Sequence, residues 1–381
     1  MEASNVLRLK GLTKRFGPIL ANDDVTIELQ KGEVLALLGE NGAGKTTLMN
    51  MLFGHYLPDS GNIEIKSTDD NLVPLELGDP SAALAAGIGM VHQHFTLAEN
   101  ITAFENITLG AESLFSLRRN QKKAQTKINS IMSHSGLDAP LDIPVGKLSV
   151  GERQRVEILK ALYRDAHILV LDEPTAVLTP QEADSLFSNL RRMTKQGLSV
   201  IFITHKMREV LSFSDRLVVL RHGKNVGSMK TSDASEKKIA RLMVGSETQK
   251  VSSKRIKPGG PILSLNEISV AGQSKRDSLH DVNLILNSNE ILGIAGISGN
   301  GQNVLADLIS GLVAPDRGSI VLKGVAIENI SPFNMIKSGF GRIPEDRHRQ
   351  GIVGGLSVSE NMIIERLDDP QIQNFGFLRS S

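Results

Sequence analysis

Eight consecutive residues, Gly39-Glu40-Asn41-Gly42-Ala43-Gly44-Lys45-Thr46, carry the clearest chemistry in the chain. They match G-x-x-x-x-G-K-[ST], a pattern in which glycines let successive backbone N–H groups turn inward around a phosphate chain. Lys45 adds a point charge for the outer phosphates, and the Thr46 hydroxyl offers a hard oxygen to Mg2+. Thr47 extends this polar helix start. A second piece is His167-Ile168-Leu169-Val170-Leu171-Asp172-Glu173, an aliphatic strand that delivers two adjacent carboxylates at its carboxyl end. Side chains alternate along a strand, so the two acids cannot share one role. Asp172 suits the Mg2+ shell, and Glu173 suits the γ-phosphate side, where it would orient or deprotonate the attacking water.

Such groups need strands and helices to hold them. Residues 33–38 form a short apolar run, and residues 45–53 place Leu48, Met51 and Leu52 at helical spacing ahead of Gly54, a helix stop. Residues 167–171 and 198–203 are continuous aliphatic runs, which parallel strands buried on both faces require. Alternating strand and helix predict a βαβ architecture with ligands at the carboxyl ends of the strands. In residues 1–30, Leu7 and Leu9, then Val25, Ile27 and Leu29, alternate with polar neighbours, which predicts an antiparallel β addition at the edge.

Composition bounds the class. With 381 residues the chain has room for two to three domains of roughly 150 residues each. The 43 basic and 42 acidic residues leave a net charge of +1, which excludes a dominant electrostatic footprint for nucleic acid. The absence of cysteine excludes disulfides, thiolate metal sites and a catalytic thiol. His92 and His94 alternate like a metal pair but have no third ligand nearby. No apolar run approaches the ~18 residues of a membrane span, so any membrane role is expected to come through a partner.

The chain repeats itself. Glu33-Val34-Leu35 leading to Gly39 recurs 257 residues later as Glu290-Ile291-Leu292 leading to Gly296. Gly54, Pro58, Asp59, Gly61 and Ile63 recur at the same offset as Gly311, Pro315, Asp316, Gly318 and Ile320. Two copies of one domain are expected, residues 1–245 and 262–381, joined by an exposed Ser-, Lys-, Pro- and Gly-containing linker over residues 246–261. Counterparts of the segments at 149 and 173 would fall near 406 and 430, so the second copy is expected to be incomplete within these 381 residues.

Leu148-Ser149-Val150-Gly151-Glu152 then opens a helix with Val156, Leu159, Leu162 and Tyr163 on one face. This segment resembles the signature of ABC transporter ATPases. The resemblance implies a P-loop NTPase α/β fold with a mixed sheet core, an antiparallel β subdomain and a helical subdomain at about 96–160. It also implies ATP and Mg2+, with Ser149 and Gly151 closing on the γ-phosphate held by an opposite nucleotide-binding domain. Phe16 stands where the family has the aromatic that stacks on adenine. Gln93 resembles the glutamine that contacts Mg2+ and the lytic water, and His205, after the strand ending at Thr204, resembles the switch histidine at the γ-phosphate.

Tandem domains, together with Val91-His92-Gln93-His94-Phe95 and the segment from Asp172 to Pro180, resemble the ATP-binding proteins of simple-sugar and nucleoside importers, the purine-nucleoside branch more than the ribose and galactose branch. Ile343-Pro344-Glu345-Asp346-Arg347 looks like the segment that replaces the glutamine region in their second domain. Such a protein would sit peripherally at the cytoplasmic face of the membrane. It would work with permease subunits and, through them, a substrate-binding protein, and could form a homodimer. A soluble tandem ATPase acting on ribosomes or DNA, and a non-catalytic ATP-binding fragment, are the alternatives. The second phosphate loop reads Gly296-Ile297-Ser298-Gly299-Asn300-Gly301-Gln302-Asn303, with Gln for the lysine and Asn for the hydroxyl, so a weak or dead second site is expected. Thr179 and Val150 also depart from the family, standing where Asp and Gly are usual.

Overall fold

The computed structural model describes residues 4–67, 71–92, 95–111, 121–176, 178–245, 256–272, 278–296, 300–344, 350–367, 369–374 and 377–378. They fall into two units, Met1–Lys250 and Val251–Ser381. The strands of the first unit are β1 (Asn5–Phe16), β2 (Ile19–Gln30), β3 (Val34–Leu38), β4 (Ser60–Lys66), β5 (Leu72–Pro74), β6 (Ile88–Val91), β7 (Ile168–Asp172), β8 (Ser199–Ile203), β9 (Arg216–Arg221) and β10 (Lys224–Lys230). Its helices are α1 (Lys45–Leu52), α2 (Pro80–Ala85), α3 (Ala103–Thr108), α4 (Gln121–Ser135), α5 (Val150–Tyr163), α6 (Pro180–Lys195), α7 (Met207–Phe213) and α8 (Glu236–Val244).

A six-stranded sheet in the order β10-β9-β3-β8-β7-β6 forms the centre of this unit. Its pairings are parallel except at the β9–β10 edge. Every residue of β3, β6, β7 and β8 is buried, because helices or a second sheet cover both faces. Alternation sorts the side chains. Leu35, Leu37, Ile168, Val170, Ile201 and Ile203 pack with Leu48, Met49 and Leu52 of α1. Val34, Ala36, Leu38, Leu169, Leu171, Val200 and Phe202 pack on the other face with α5 and α6. Asp172 shares the parity of Ile168 and Val170, so it is delivered to the α1 side.

The antiparallel strands do not extend the edge of this sheet, as the sequence suggested. They form a separate four-stranded sheet, β2-β1-β4-β5. In register, Ile27, Leu9 and Ile63 line up across three strands, as do Leu29, Leu7 and Ile65. That single apolar face joins the α1 side of the core. One-sided alternation suits a sheet laid over another layer, not a strand buried on both faces.

The second unit contains β11 (Pro261–Val270), β12 (Leu279–Asn287), β13 (Arg317–Leu322) and β14 (Val325–Ala326), with α9 (Gln302–Ile309), α10 (Pro332–Lys337) and α11 (Val358–Ile363). Its sheet, β12-β11-β13-β14, has the same order as the antiparallel sheet of the first unit. Leu263–Leu322 and Leu265–Ile320 pair as Leu7–Ile65 and Leu9–Ile63 do. Helix α9 starts and ends 257 residues after α1. Residues 290–296, the counterpart of β3, form no strand, and Ile291 is 100% exposed. In the first unit β3 is hydrogen-bonded on both sides by β8 and β9. Among the described residues no strand pairs with residues 290–296, so an aliphatic run alone does not make a strand here.

Phe202 packs against Phe187 of α6 and Phe213 of α7, with ring centroids 6.0 and 5.5 Å away, and those two rings touch each other at 4.5 Å. Phe202→Ala should lower unfolding free energy by about 3 to 5 kcal/mol, measured by urea denaturation, through lost transfer energy and the cavity left behind.

Candidate active site

The phosphate loop leaves the carboxyl end of β3 and enters α1 through Gly44. Gly44 adopts a left-handed conformation (φ 96°), and a Cβ there would lie 2.3 Å from the Ala21 carbonyl oxygen and 2.8 Å from the Asn22 amide nitrogen. Only glycine fits both demands. Asn22 is fully buried under this turn and donates from Nδ2 to the Gly44 carbonyl at 3.3 Å. The loop is closed by Ala43 N–H donating to Glu40 O at 3.1 Å, and tied to the β9–β10 turn by Gly223 N–H donating to Ala43 O. The first N–H groups of α1 have no carbonyl within the helix to bind, and no side chain caps them. Such a start, at the positive end of the helix dipole, suits an anion.

Lys45 is buried in this cradle, with 7% exposure. Its Nζ donates to Gly39 O at 2.7 Å and Glu40 O at 2.9 Å. Burial lowers the ammonium's pKa, while the charges of Glu173, Asp172 and Glu40 work in the opposite direction. Asp172, also 7% exposed, has its carboxyl pushed up, first by burial and then by the neighbouring Glu173 charge, with Lys45 pulling it back. Lys45 and the two acids expected from sequence therefore share one electrostatic site. Thr46 and Glu40, Asn41 and Gly42 of the loop are exposed, Ala43 and Gly39 are buried, and Thr47 is half-buried.

Glu173 leaves β7 with a positive φ of 46°, a conformation that costs a non-glycine residue energy and persists only where neighbours impose it. Its N–H donates to Ile203 O at 2.9 Å, and its Oε1 lies 2.9 Å from Nδ1 of His205. Glu173 is mostly buried, whereas the His205 ring is half exposed. A carboxylate and an imidazole thus meet at the carboxyl ends of adjacent parallel strands, beside the buried lysine. The donor set fits Mg-nucleotide: an uncapped helix start and a cation for phosphate oxygens, and Thr46 with Asp172 as oxygen ligands, leaving further coordination positions for water and phosphate.

Phe16 ends β1 with its ring 41% exposed and packed edge-to-face on Tyr56, at 5.4 Å between centroids; Lys14 Nζ lies 5.6 Å from the Phe16 centroid. Tyr56, Asn22 and the residues around Glu209 were missed by sequence reasoning. Tyr56 could have been suspected from the scarcity of aromatics alone, with 2 Tyr and no Trp in the chain.

Ser149 caps α5 in a reciprocal box with Glu152: its N–H and hydroxyl each donate to Glu152 Oε2 at 2.8 Å. These bonds hold the Glu152 carboxyl below the usual range. Gly151 is buried, and a Cβ there would lie 2.5 Å from Oε1 of Glu182, so the signature helix start packs on the start of α6. Thr179 earns its place differently from an aspartate: it caps α6 through its own box with Glu182. The hydrogen bonds of Ser149, and the close approach at Gly151, lead to these helix starts and not to the Lys45 cluster. Val150, at the first position of α5, is 40% exposed. Gln93 and His94 lie outside the described residues.

Comparison with known proteins identifies the family. The ABC transporter family model matches residues 22–176 and 279–375. The chain is 41% identical to the glucose import ATP-binding protein TsgD13 of Haloferax volcanii, over 93% of this chain and 69% of that protein. It is 40% identical to the nucleoside import ATP-binding protein NupA of Lactococcus lactis subsp. cremoris, over 99% and 74%, and 40% to the guanosine import protein NupO of Bacillus subtilis, over 94% and 70%. Among solved structures, the ADP conformation of MJ1267, an ATP-binding cassette of an ABC transporter, superposes with a TM-score of 0.54 at 26% identity, covering 63% of this chain and 95% of that one. The dimeric post-hydrolysis cassette MJ0796 bound to ADP and phosphate gives 0.51 at 25% identity, covering 59% and 98%. With a lysine-bearing phosphate loop, paired strand-end carboxylates and these relatives in agreement, the chain belongs to the ABC transporter ATP-binding proteins, ATPases that use Mg-ATP to power transport.

Proposed function

We propose that the chain is the ATP-hydrolysing subunit of an importer for nucleosides or simple sugars, docked on the cytoplasmic face of the membrane against permease subunits that a substrate-binding protein supplies. The observation that carries the catalytic part is the meeting of Glu173 and His205 at 2.9 Å beside the desolvated Lys45. The transport part is supported by similarity to TsgD13, NupA and NupO, each an import ATP-binding protein by name. Selection of cargo belongs to the other subunits, and the purine-nucleoside preference rests on the His92–Phe95 wording.

In this reading Phe16, buttressed by Tyr56, stacks on adenine. The loop from Gly39 to Gly44 and the N–H groups of Lys45, Thr46 and Thr47 hold the phosphates, and the Lys45 ammonium leaves its two carbonyls for phosphate oxygens. Thr46 and Asp172, with Gln93, hold Mg2+, which supplies charge neutralisation when bound. Glu173 accepts the proton of the attacking water, and His205 orients Glu173 and reaches the γ-phosphate. Ser149 and Gly151 complete a site on another cassette, so Glu152 must release the Ser149 hydroxyl and N–H as the phosphate arrives. The tandem repeat places a second loop at residues 296–303, where Gln302 removes the charge. That loop is degenerate, and a second copy of the chain can lend its own Ser149 to the Lys45 loop.

Glu173→Gln should cut phosphate release by about 10² to 10⁴-fold while nucleotide still binds, and equal rates for parent and variant would remove Glu173 from the base role. Lys45→Ala should weaken Mg-ATP binding by about 10² to 10³-fold in a titration, whereas Gln302→Ala should leave a stoichiometry of about one nucleotide per chain unchanged. Phosphate release per chain should climb with protein concentration; a rate strictly proportional to enzyme would contradict sharing of the site.

The raised Asp172 pKa also sets a direction for stability. Above its folded-state pKa the carboxylate is ionised in both folded and unfolded chains, and the full desolvation cost opposes folding. As pH falls through that value toward the ordinary carboxylate range, the folded protein takes up the proton first and the cost disappears. Asp172→Asn should therefore melt at a higher temperature than the parent at pH 8 without nucleotide. The gap should close as pH drops, and a gap that widens in acid would reverse the sign.

A further inference from the structure

The ladder between β7 and β8 ends at Asp172–Ile203, with one more bond from Glu173 N–H to Ile203 O. Past that point, among the described residues, the segments that carry Glu173 and His205 share no backbone–backbone hydrogen bond, and the left-handed turn at Glu173 carries the chain away. Something else must fix their spacing. Glu209, in the first turn of α7, stands between the two loops. Its Oε1 accepts from the Thr175 hydroxyl at 2.5 Å and its Oε2 accepts from the Thr204 hydroxyl at 3.0 Å. Both threonines are 2% exposed, and the Glu209 side chain is 13% exposed.

Lys206 closes the network. Its N–H donates to Thr204 Oγ1 at 3.1 Å, and its Nζ donates to Thr175 O at 2.9 Å and Thr175 Oγ1 at 3.2 Å. It also lies 3.3 Å from Glu209 Oε1. Each threonine hydroxyl gives its one proton to the carboxylate and receives one from Lys206, so every donor here has an acceptor. The two threonines are buried and the carboxylate mostly so, while Lys206 covers them from the solvent side, 42% exposed, and hydrogen-bonded networks with every member satisfied rigidify what they touch. Thr204 and Lys206 flank His205 directly, and Thr175 lies two residues after Glu173.

The geometry points to Glu209 as a positioning residue that clamps the loops after β7 and β8 through Thr175 and Thr204, and so sets the contact between Glu173 and His205. The inference rests on the reading of Glu173 and His205 as the hydrolytic pair. Among the described residues Glu209 bonds Thr175, Thr204 and Lys206 and none of the Lys45 loop, so its loss should separate hydrolysis from binding. A misplacement of about 1 Å in reacting groups can cost about 10²-fold in rate.

The test uses the full chain with Thr175→Val and Thr204→Val, near-isosteric changes that remove one hydroxyl each, and Thr175→Ser, which restores it. Single-turnover hydrolysis at saturating Mg-ATP should slow about 10- to 100-fold in the valine variants, with ATP Kd within about twofold of the parent and the serine variant within about threefold of parental rate. Independently of turnover, the His205 ring ¹⁵N resonances in the valine variants should move toward their positions in Glu173→Gln. Parental turnover with an unmoved His205 signal would overturn the inference, as would a loss of binding and hydrolysis in equal measure. If Glu173→Gln hydrolyses like the parent, the catalytic reading fails, but a His205 signal that shifts in the valine variants still supports Glu209 as the clamp.

Discussion

Burial of the Lys45 ammonium is the constraint around which the first unit is arranged. A desolvated cation is costly unless it is hydrogen-bonded and counterbalanced. Two carbonyls of its own loop, Gly39 and Glu40, supply the hydrogen bonds, and Asp172 and Glu173 supply the opposite charge. That balance is possible only where a strand end delivers acids to the side of the sheet covered by the lysine's helix. Parity along β7 does this for Asp172, because Ile168 and Val170 already face α1. The burial that lowers the lysine's pKa raises that of Asp172. Burial thus moves the two pKa values toward one another, and the charge of each partner opposes that shift.

The two units separate what local sequence can build from what requires neighbours. Gly44 and Gly301, at φ 96° and 86°, start helices of equal length in equivalent places. The antiparallel sheets share their order and side-chain pairing. These features are encoded within a few dozen residues. A buried parallel strand is different, since its hydrogen bonds come from segments far away in sequence. Residues 34–38 find β8 and β9 and become fully buried, whereas residues 291–296 form no strand and are exposed, with Ile291 bare.

The same distinction explains how much could be read from sequence. The phosphate loop, the acid-bearing strand, the aliphatic runs and the helix opened by Ser149 were legible, because glycine spacing and apolar periodicity are local signals. The placement of the antiparallel strands as a separate layer was not, since alternation reports one buried face without saying what covers it. Asn22 read as an ordinary polar residue on a strand, and only the fold puts its amide under the Gly44 carbonyl. Glu209 was invisible for the same reason: Thr175 lies 34 residues before it, and nothing in spacing announces their contact. Thr179 read as a departure from an expected aspartate, and the structure gives it the ordinary work of a helix cap.

How the helix starts are finished separates structural from functional termini. Helices α5 and α6 begin with a hydroxyl residue and a glutamate three positions on, so their first N–H groups are satisfied by their own side chains. Helices α1 and α9 begin with glycine and have no side-chain cap. An uncapped start leaves backbone dipoles aimed at whatever sits ahead of them, and on α1 a lysine at the first helical position reinforces that field. On α9 the position is Gln302, whose Nε2 lies 2.2 Å from where a Cβ on Gly296 would be, close enough for the neutral amide to fill the space beside the loop. Both helices keep the dipole of an uncapped start, and only α1 has a positive side chain at its first position. Hydrolysis requires charge placed against the leaving phosphates and not merely an open helix end; the first position of α1 is the lysine Lys45 and the first position of α9 is the neutral Gln302.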